Sequence, residues 1–199
     1  MILFFDIETV SVLEKKMREK NDFSLIKEKY WDKLNFMPEY NRILCISVGF
    51  INNPWEITTR SYHWEESEII EKFFKAIEWK EIAWFNIKGF DIPFIIKRAL
   101  FHKIAIPFSL KFNWKKPREM DHIIDLQEIY KSWVFSSFSN LDLVCKFLGI
   151  TSPKGDWING SQVQEFYDLW KEFEILEYCE RDVKATVEVY NYFLKYNII

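Results

Sequence analysis

The chain has 199 residues, 27 Lys and Arg against 30 Asp and Glu, a formal net charge of −3, and aromatic rings at 19% of its positions. That length fills one sizeable core and leaves two complete domains cramped, so a single domain over 1–199 is expected, with most rings inside it. No apolar run approaches the roughly 20 residues that cross a bilayer, and Cys45, Cys145 and Cys179 form no CxxC pair, which speaks against a membrane span, a disulfide framework and a cysteine-rich zinc site. The start MILFFDIETV has no basic segment before it and meets carboxylates by position 6, a poor secretory signal, so a soluble cytoplasmic protein is expected.

Ile2, Leu3, Phe4 and Phe5 run together before the first charge and predict a short buried strand from Met1 to Asp6. Residues 11–40 are rich in Lys and Glu, with loose helical spacing through Leu13, Met17, Phe23, Ile26 and Tyr30, and read as a surface excursion. Residues 43–50 and 56–63 have strand composition, and Asn52-Asn53-Pro54 between them predicts a hairpin turn. Helical spacing follows over 67–77. A strand over 82–86 leads into a helix from Phe90 to Phe101, and 122–126 reads as the fifth strand, ending in Asp125. Beyond Leu141 the pattern is mostly helical: Ser161 reads as the N-cap of a helix over 162–170, and a long helix covers 171–195. Three strands followed by alternating helices and strands predict a mixed α/β sheet covered on both faces.

Four acids stand out by position. Asp6 and Glu8, two apart on an apolar strand, point to one face of the sheet. Asp91 opens a helix beside Asn86 and Phe90, and Asp182 lies one helical turn after Tyr178 on the last helix. Carboxylates that share a buried site repel one another and lose their hydration, and divalent cations remove that cost. Oxygen donors suit Mg²⁺ or Mn²⁺, while His63, His102 and His122 are too scattered to favour zinc. Each pairing alone also arises by chance in strands and helices; their joint order singles them out.

Three motifs carried by these residues resemble the DEDD superfamily of exonucleases in its tyrosine subtype. Asp6-Ile7-Glu8 matches its Asp-x-Glu motif, Asn86 to Asp91 its Asn-x-x-x-Phe-Asp motif, and Tyr178 to Asp182 its Tyr-x-x-x-Asp motif. The stretches Phe90 to Phe94, Ile124-Asp125-Leu126, Leu141-Asp142-Leu143 and Ser152 to Val163 are further similar to the predicted free-standing exonucleases related to the proofreading domain of family B DNA polymerases. The resemblance implies a ribonuclease H-like fold, a five-stranded mixed sheet with helices on both faces. It implies two divalent ions, Mg²⁺ or Mn²⁺, held by Asp6, Glu8, Asp91 and Asp182, with Asp6 bridging them and Tyr178 holding the attacking water. Two such ions would also offset the negative net charge that otherwise argues against a nucleic-acid partner.

Around these motifs, Thr9 and Asn86 are candidate contacts of the terminal nucleotide. Phe90 fits two roles equally, stacking on a base or filling the core. Lys115, Lys116 and Arg118 lie in a run that interleaves cations with rings, as single-strand binding surfaces do, although a charged loop explains them as well. Asp125 ends a strand yet matches no ligand of the motifs. The 11–40 excursion reads as a lid, a partner surface or a solvated insertion. Three functions stay open. The first is a 3′–5′ exonuclease of DNA single strands or frayed ends, releasing nucleoside monophosphates in repair or proofreading in trans beside a replication or repair protein. The second is an exoribonuclease of the same superfamily, separated by reading of the 2′-hydroxyl. The third is a binding module that lost catalysis, which predicts missing ligands, whereas all four acids and Tyr178 are present.

Overall fold

The computed structural model describes residues 1–13, 34, 36–53, 56–110, 120–131, 139–152 and 158–199. Five strands are described: β1 (Ile2–Ser11), β2 (Asn41–Asn53), β3 (Glu56–His63), β4 (Glu81–Trp84) and β5 (Ile123–Asp125). They form one sheet in the order β3-β2-β1-β4-β5. β1 pairs antiparallel with β2 and β2 with β3, whereas β4 is parallel to both β1 and β5, so the sheet is mixed and β1 is its centre.

The helices are α1 (Glu66–Ala76), α2 (Asp91–Phe101), α3 (Leu126–Tyr130), α4 (Leu141–Leu148), α5 (Val163–Asp168) and α6 (Glu172–Lys195). Successive strand residues point to opposite faces, and β1 shows which helix covers which. Phe5 packs on Phe73 of α1 with ring centroids 4.5 Å apart, and Phe4 packs on Tyr190 of α6 at 5.2 Å. Helices therefore cover both faces, as expected. At β2 the long helix comes so close that a Cβ on Gly49 would lie 2.5 Å from Val183 Cγ1, which only glycine avoids. No helix among the described residues is long and apolar enough to cross a membrane.

The α1 face is fastened by a buried carboxylate. Glu66 accepts hydrogen bonds from the Ile43 N–H at 2.7 Å, from Arg98 Nε and Nη2 at 2.8 and 2.6 Å, and from His102 Nε2 at 2.7 Å. Arg98 Nη1 donates onward to the Pro38 carbonyl at 2.9 Å. The Glu66–Arg98 pair thus ties α1, α2, β2 and the turn before β2 together.

Three expectations need correction. β1 does not stop at Asp6 but runs to Ser11, because β2 continues alongside it as far as Asn41. β4 ends at Trp84, two residues early, since the chain turns at Phe85-Asn86. Ser161 is not a helix N-cap. Asn159 caps a 3₁₀ turn over Gly160–Gln162, Gln162 completes a capping box with it, and α5 starts only at Val163. Most of the expected 11–40 excursion, the tip of the β2–β3 hairpin, and Lys115, Lys116 and Arg118 lie outside the described residues.

Candidate active site

The alternation of β1 aims Phe4, Asp6 and Glu8 at α6 while Phe5 and Ile7 face α1. Both acids are nearly closed off from solvent, at 7% and 9% exposure. The register shifts between Glu8 and Thr9, where β2 passes from Cys45 to Ile43. Such irregularities re-aim side chains and recur beside functional sites. Thr9, half-buried, sits at this irregularity.

The motif on α6 sends its residues in different directions. The Tyr178 hydroxyl donates to Asp182, one turn on, and its ring is seated among Val10, Leu44, Ile158, Val163 and Ile175. Glu180 accepts from Thr59 Oγ1 at 2.8 Å and from Ser61 Oγ at 2.6 Å, which pins the helix to the edge strand β3. Cys179 points at the acids: its thiol lies 3.4 Å from Asp6 Oδ2, and ligand atoms of Asp6, Glu8 and Cys179 all fall within 4.8 Å of one another. Sequence reasoning missed this thiol; its place next to Tyr178 in the motif was the available signal.

Asp91 arrives from the other side of β1. β4 pairs with β1 only from Ile2 to Phe4, so the Ile7 N–H is left over and hydrogen-bonds Asp91, which is 2% exposed. The turn that delivers Asp91 is held by Asp125. Its carboxylate accepts from the N–H groups of Asn86 (3.0 Å), Lys88 (3.1 Å) and Gln127 (3.0 Å), and so braces the 86–90 turn while capping α3. Asn86 adopts φ 68°, a conformation that asparagine tolerates, and its carbonyl accepts from Gly89 and Phe90. Asn86 therefore shapes the turn with its own backbone. Phe90 is half-buried against Phe94 and meets the 63%-exposed Phe36 edge-on, with centroids 5.9 Å apart, so it stands at the border of core and surface.

The electrostatics of this cluster are unfavourable by themselves. Burial pushes Asp6, Glu8 and Asp91 well above the usual carboxylate range, and neighbouring carboxylates push further: Glu8, Asp182 and Asp91 act on Asp6, and Asp125 acts on Asp91. Burial likewise raises the Tyr178 phenol, helped by Asp182, Glu8 and Asp6. Two carboxylates at such a spacing repel by roughly 3–4 kcal/mol at an effective dielectric constant of about 20. Among the described residues no Lys, Arg or His forms a salt bridge with Asp6, Glu8 or Asp91. An oxygen-rich, uncompensated donor set of this kind fits hard divalent cations.

A family profile described as a predicted 3′–5′ exonuclease related to the exonuclease domain of PolB matches residues 35–199. The match contains Asn86 to Asp91 and Tyr178 to Asp182; Asp6 and Glu8 precede it. A search of curated proteins found no match. Among solved structures, the family B DNA polymerase from the hyperthermophilic archaeon Pyrobaculum calidifontis is similar, with a TM-score of 0.65 and 16% identity. The likeness covers 99% of this chain and 25% of that one, so the chain spans about a quarter of the polymerase's length. At that identity it shows the fold, the five-stranded α/β architecture of the ribonuclease H-like exonuclease domain. By the profile match, the chain belongs to the family of predicted 3′–5′ exonucleases related to the exonuclease domain of PolB.

Proposed function

We propose that this chain hydrolyses phosphodiester bonds one nucleotide at a time from the 3′ end of DNA, on single strands or frayed ends, releasing nucleoside 5′-monophosphates. The observation that carries the reading is the gathering of the buried Asp6, Glu8 and Asp91, which have no salt-bridged cation among the described residues, with the half-buried Asp182 and the Tyr178 hydroxyl. Asp6, Glu8, Asp91 and Asp182 would hold two divalent ions, Mg²⁺ or Mn²⁺. When bound, such ions stabilise the charge that develops on the phosphoryl group and make water a nucleophile at neutral pH.

The chain's own groups do the rest. Tyr178 keeps its proton at neutral pH, because its phenol is held above an ordinary value of about 10. With that proton donated to Asp182 in a hydrogen bond, the phenol oxygen serves as a fixed acceptor that orients the attacking water, and water rather than the phenol supplies the oxygen that joins the phosphorus. Asp125, acting through the 86–90 turn, keeps Asp91 in place. Thr9, Asn86 and Phe90 are proposed to meet the terminal nucleotide, and Lys115, Lys116 and Arg118 the strand behind it. The role proposed for this activity is repair, or proofreading in trans beside a replication or repair protein, inside the cell.

The test is digestion of matched 5′-labelled DNA and RNA oligonucleotides by the purified protein with Mg²⁺ or Mn²⁺, beside chelator and Asp182→Ala controls. The expected result is a metal-dependent ladder that shortens DNA from its 3′ end and vanishes in both controls. Faster loss of RNA would transfer the reading to an exoribonuclease, and intact strands throughout would favour a binding module.

A further inference from the structure

Gly160 lies beside the Tyr178 hydroxyl without a backbone reason to be glycine. Its φ is not in the left-handed region that favours glycine. A Cβ placed on it would clash with nothing among the described residues. Apart from its chain neighbours, the one atom within 4 Å among the described residues would be Tyr178 Oη, at 3.8 Å, an ordinary contact distance. The fold would accept alanine here. What a side chain would consume is the space in front of the hydroxyl.

The turn is also too well fastened to swing aside. Asn159 Oδ1 accepts the Ser161 N–H at 3.0 Å, and Gln162 Oε1 accepts the Asn159 N–H at 3.1 Å. Ile158 and Val163, each 2% exposed, flank the turn and belong to the apolar cluster that seats the Tyr178 ring. Gln164 Oε1 then accepts the Ser11 N–H at 2.7 Å, which joins the following helix to the end of β1. The position of residue 160 relative to the hydroxyl is thereby fixed from both sides.

We infer that Gly160 is a positioning residue, whose missing side chain keeps open the space at Tyr178 Oη where the attacking water and the terminal phosphodiester of a DNA strand sit. This rests on the exonuclease reading above and adds to it the residue that shapes the pocket on the tyrosine side. The 3₁₀ turn is the wall of that pocket, and the capping box is what holds the wall at its distance.

The experiment compares full-length wild type with Gly160→Ala, Gly160→Val and the exposed control Glu165→Ala on the following helix, measuring kcat and KM on a 5′-labelled DNA single strand with Mn²⁺, together with thermal melting. The inference expects kcat to fall about tenfold for alanine and about a hundredfold for valine, as displacement of reacting groups by around 1 Å does, with smaller changes in KM. It expects Gly160→Ala to melt at or above the wild-type temperature, since the unfolded chain loses freedom, and Glu165→Ala to match wild type throughout. Unchanged kcat in both glycine variants of an active enzyme overturns the inference and leaves the exonuclease reading standing. Activity losses that track losses of melting temperature also overturn it, by making the position structural. A wild type that cuts no strand overturns the exonuclease reading itself, and the inference with it.

Discussion

A lone buried carboxylate, Glu66, and a cluster of them, Asp6, Glu8 and Asp91, are held by the same sheet and its helices, and their surroundings differ. Glu66, 5% exposed, takes hydrogen bonds from Arg98, His102 and the Ile43 N–H. Burial pushes its carboxyl up, but those bonds and the Arg98 charge outweigh burial and hold it below its ordinary value. Asp6, Glu8 and Asp91 are similarly buried and meet other carboxylates rather than a cation, so burial, helped by those neighbours, raises every one of them. Burial alone therefore does not make a carboxylate structural or functional. The partner decides: Glu66 finds its partners within the chain, whereas the other acids store repulsion that, on the proposed function, cations from solution would relieve.

The contrast breaks most directly at Asp6. Asp6→Asn is expected to lower the rate of DNA cleavage by on the order of a thousandfold, the loss of several kcal/mol of transition-state stabilisation. The same change should leave the metal-free protein melting at the same temperature or higher, because one repelling charge is gone. A clear drop in melting temperature would show that Asp6 behaves like Glu66. Glu66→Ala is the converse. It leaves Arg98 buried without its carboxylate and should cost about 3 kcal/mol in urea unfolding, while kcat of the folded fraction stays at the wild-type value. Stability equal to wild type would remove the distinction between Glu66 and the cluster.

The smallest effect is the pH dependence, and its sign differs between Glu66 and the cluster. Glu66 has a lowered folded value, so its contribution is fully present above the ordinary glutamate value of about 4.3 and is lost as pH falls through the folded one. Asp6 and Glu8 have raised folded values, so their contribution is greatest below the ordinary carboxylate range and declines as pH rises from there to the folded values. Chelated wild type should thus lose stability on both limbs. Glu66→Gln should flatten the acid limb and Asp6→Asn the alkaline one; melting curves across pH that keep both limbs in both variants would contradict the assignment.

Much of this was legible in the chain. The apolar run into Asp6, the helix that Asp91 opens and the Tyr178–Asp182 spacing are local patterns, and each reappears in the fold. What escaped depends on pairing between distant segments. The length of β1 is set by β2 running beside it to Asn41, and the brace at Asp125 is a carboxylate meeting N–H groups some forty residues away. The thiol of Cys179 gains meaning only once α6 lies across β1. The misplaced cap was a different failure: Asn159 with Gln162 three residues later is a readable capping box, and Ser161 drew attention from it.

The central claim is that the cluster around Asp6 is built to bind divalent cations, and a calorimetric titration of Mn²⁺ into metal-free protein tests it without any assumption about the substrate. The account predicts saturable binding of two ions per chain, abolished or reduced to one weak ion in Asp6→Asn and unaltered in Glu66→Gln. Wild-type protein that binds no Mn²⁺, or an Asp6→Asn variant that binds it as wild type does, would contradict the account.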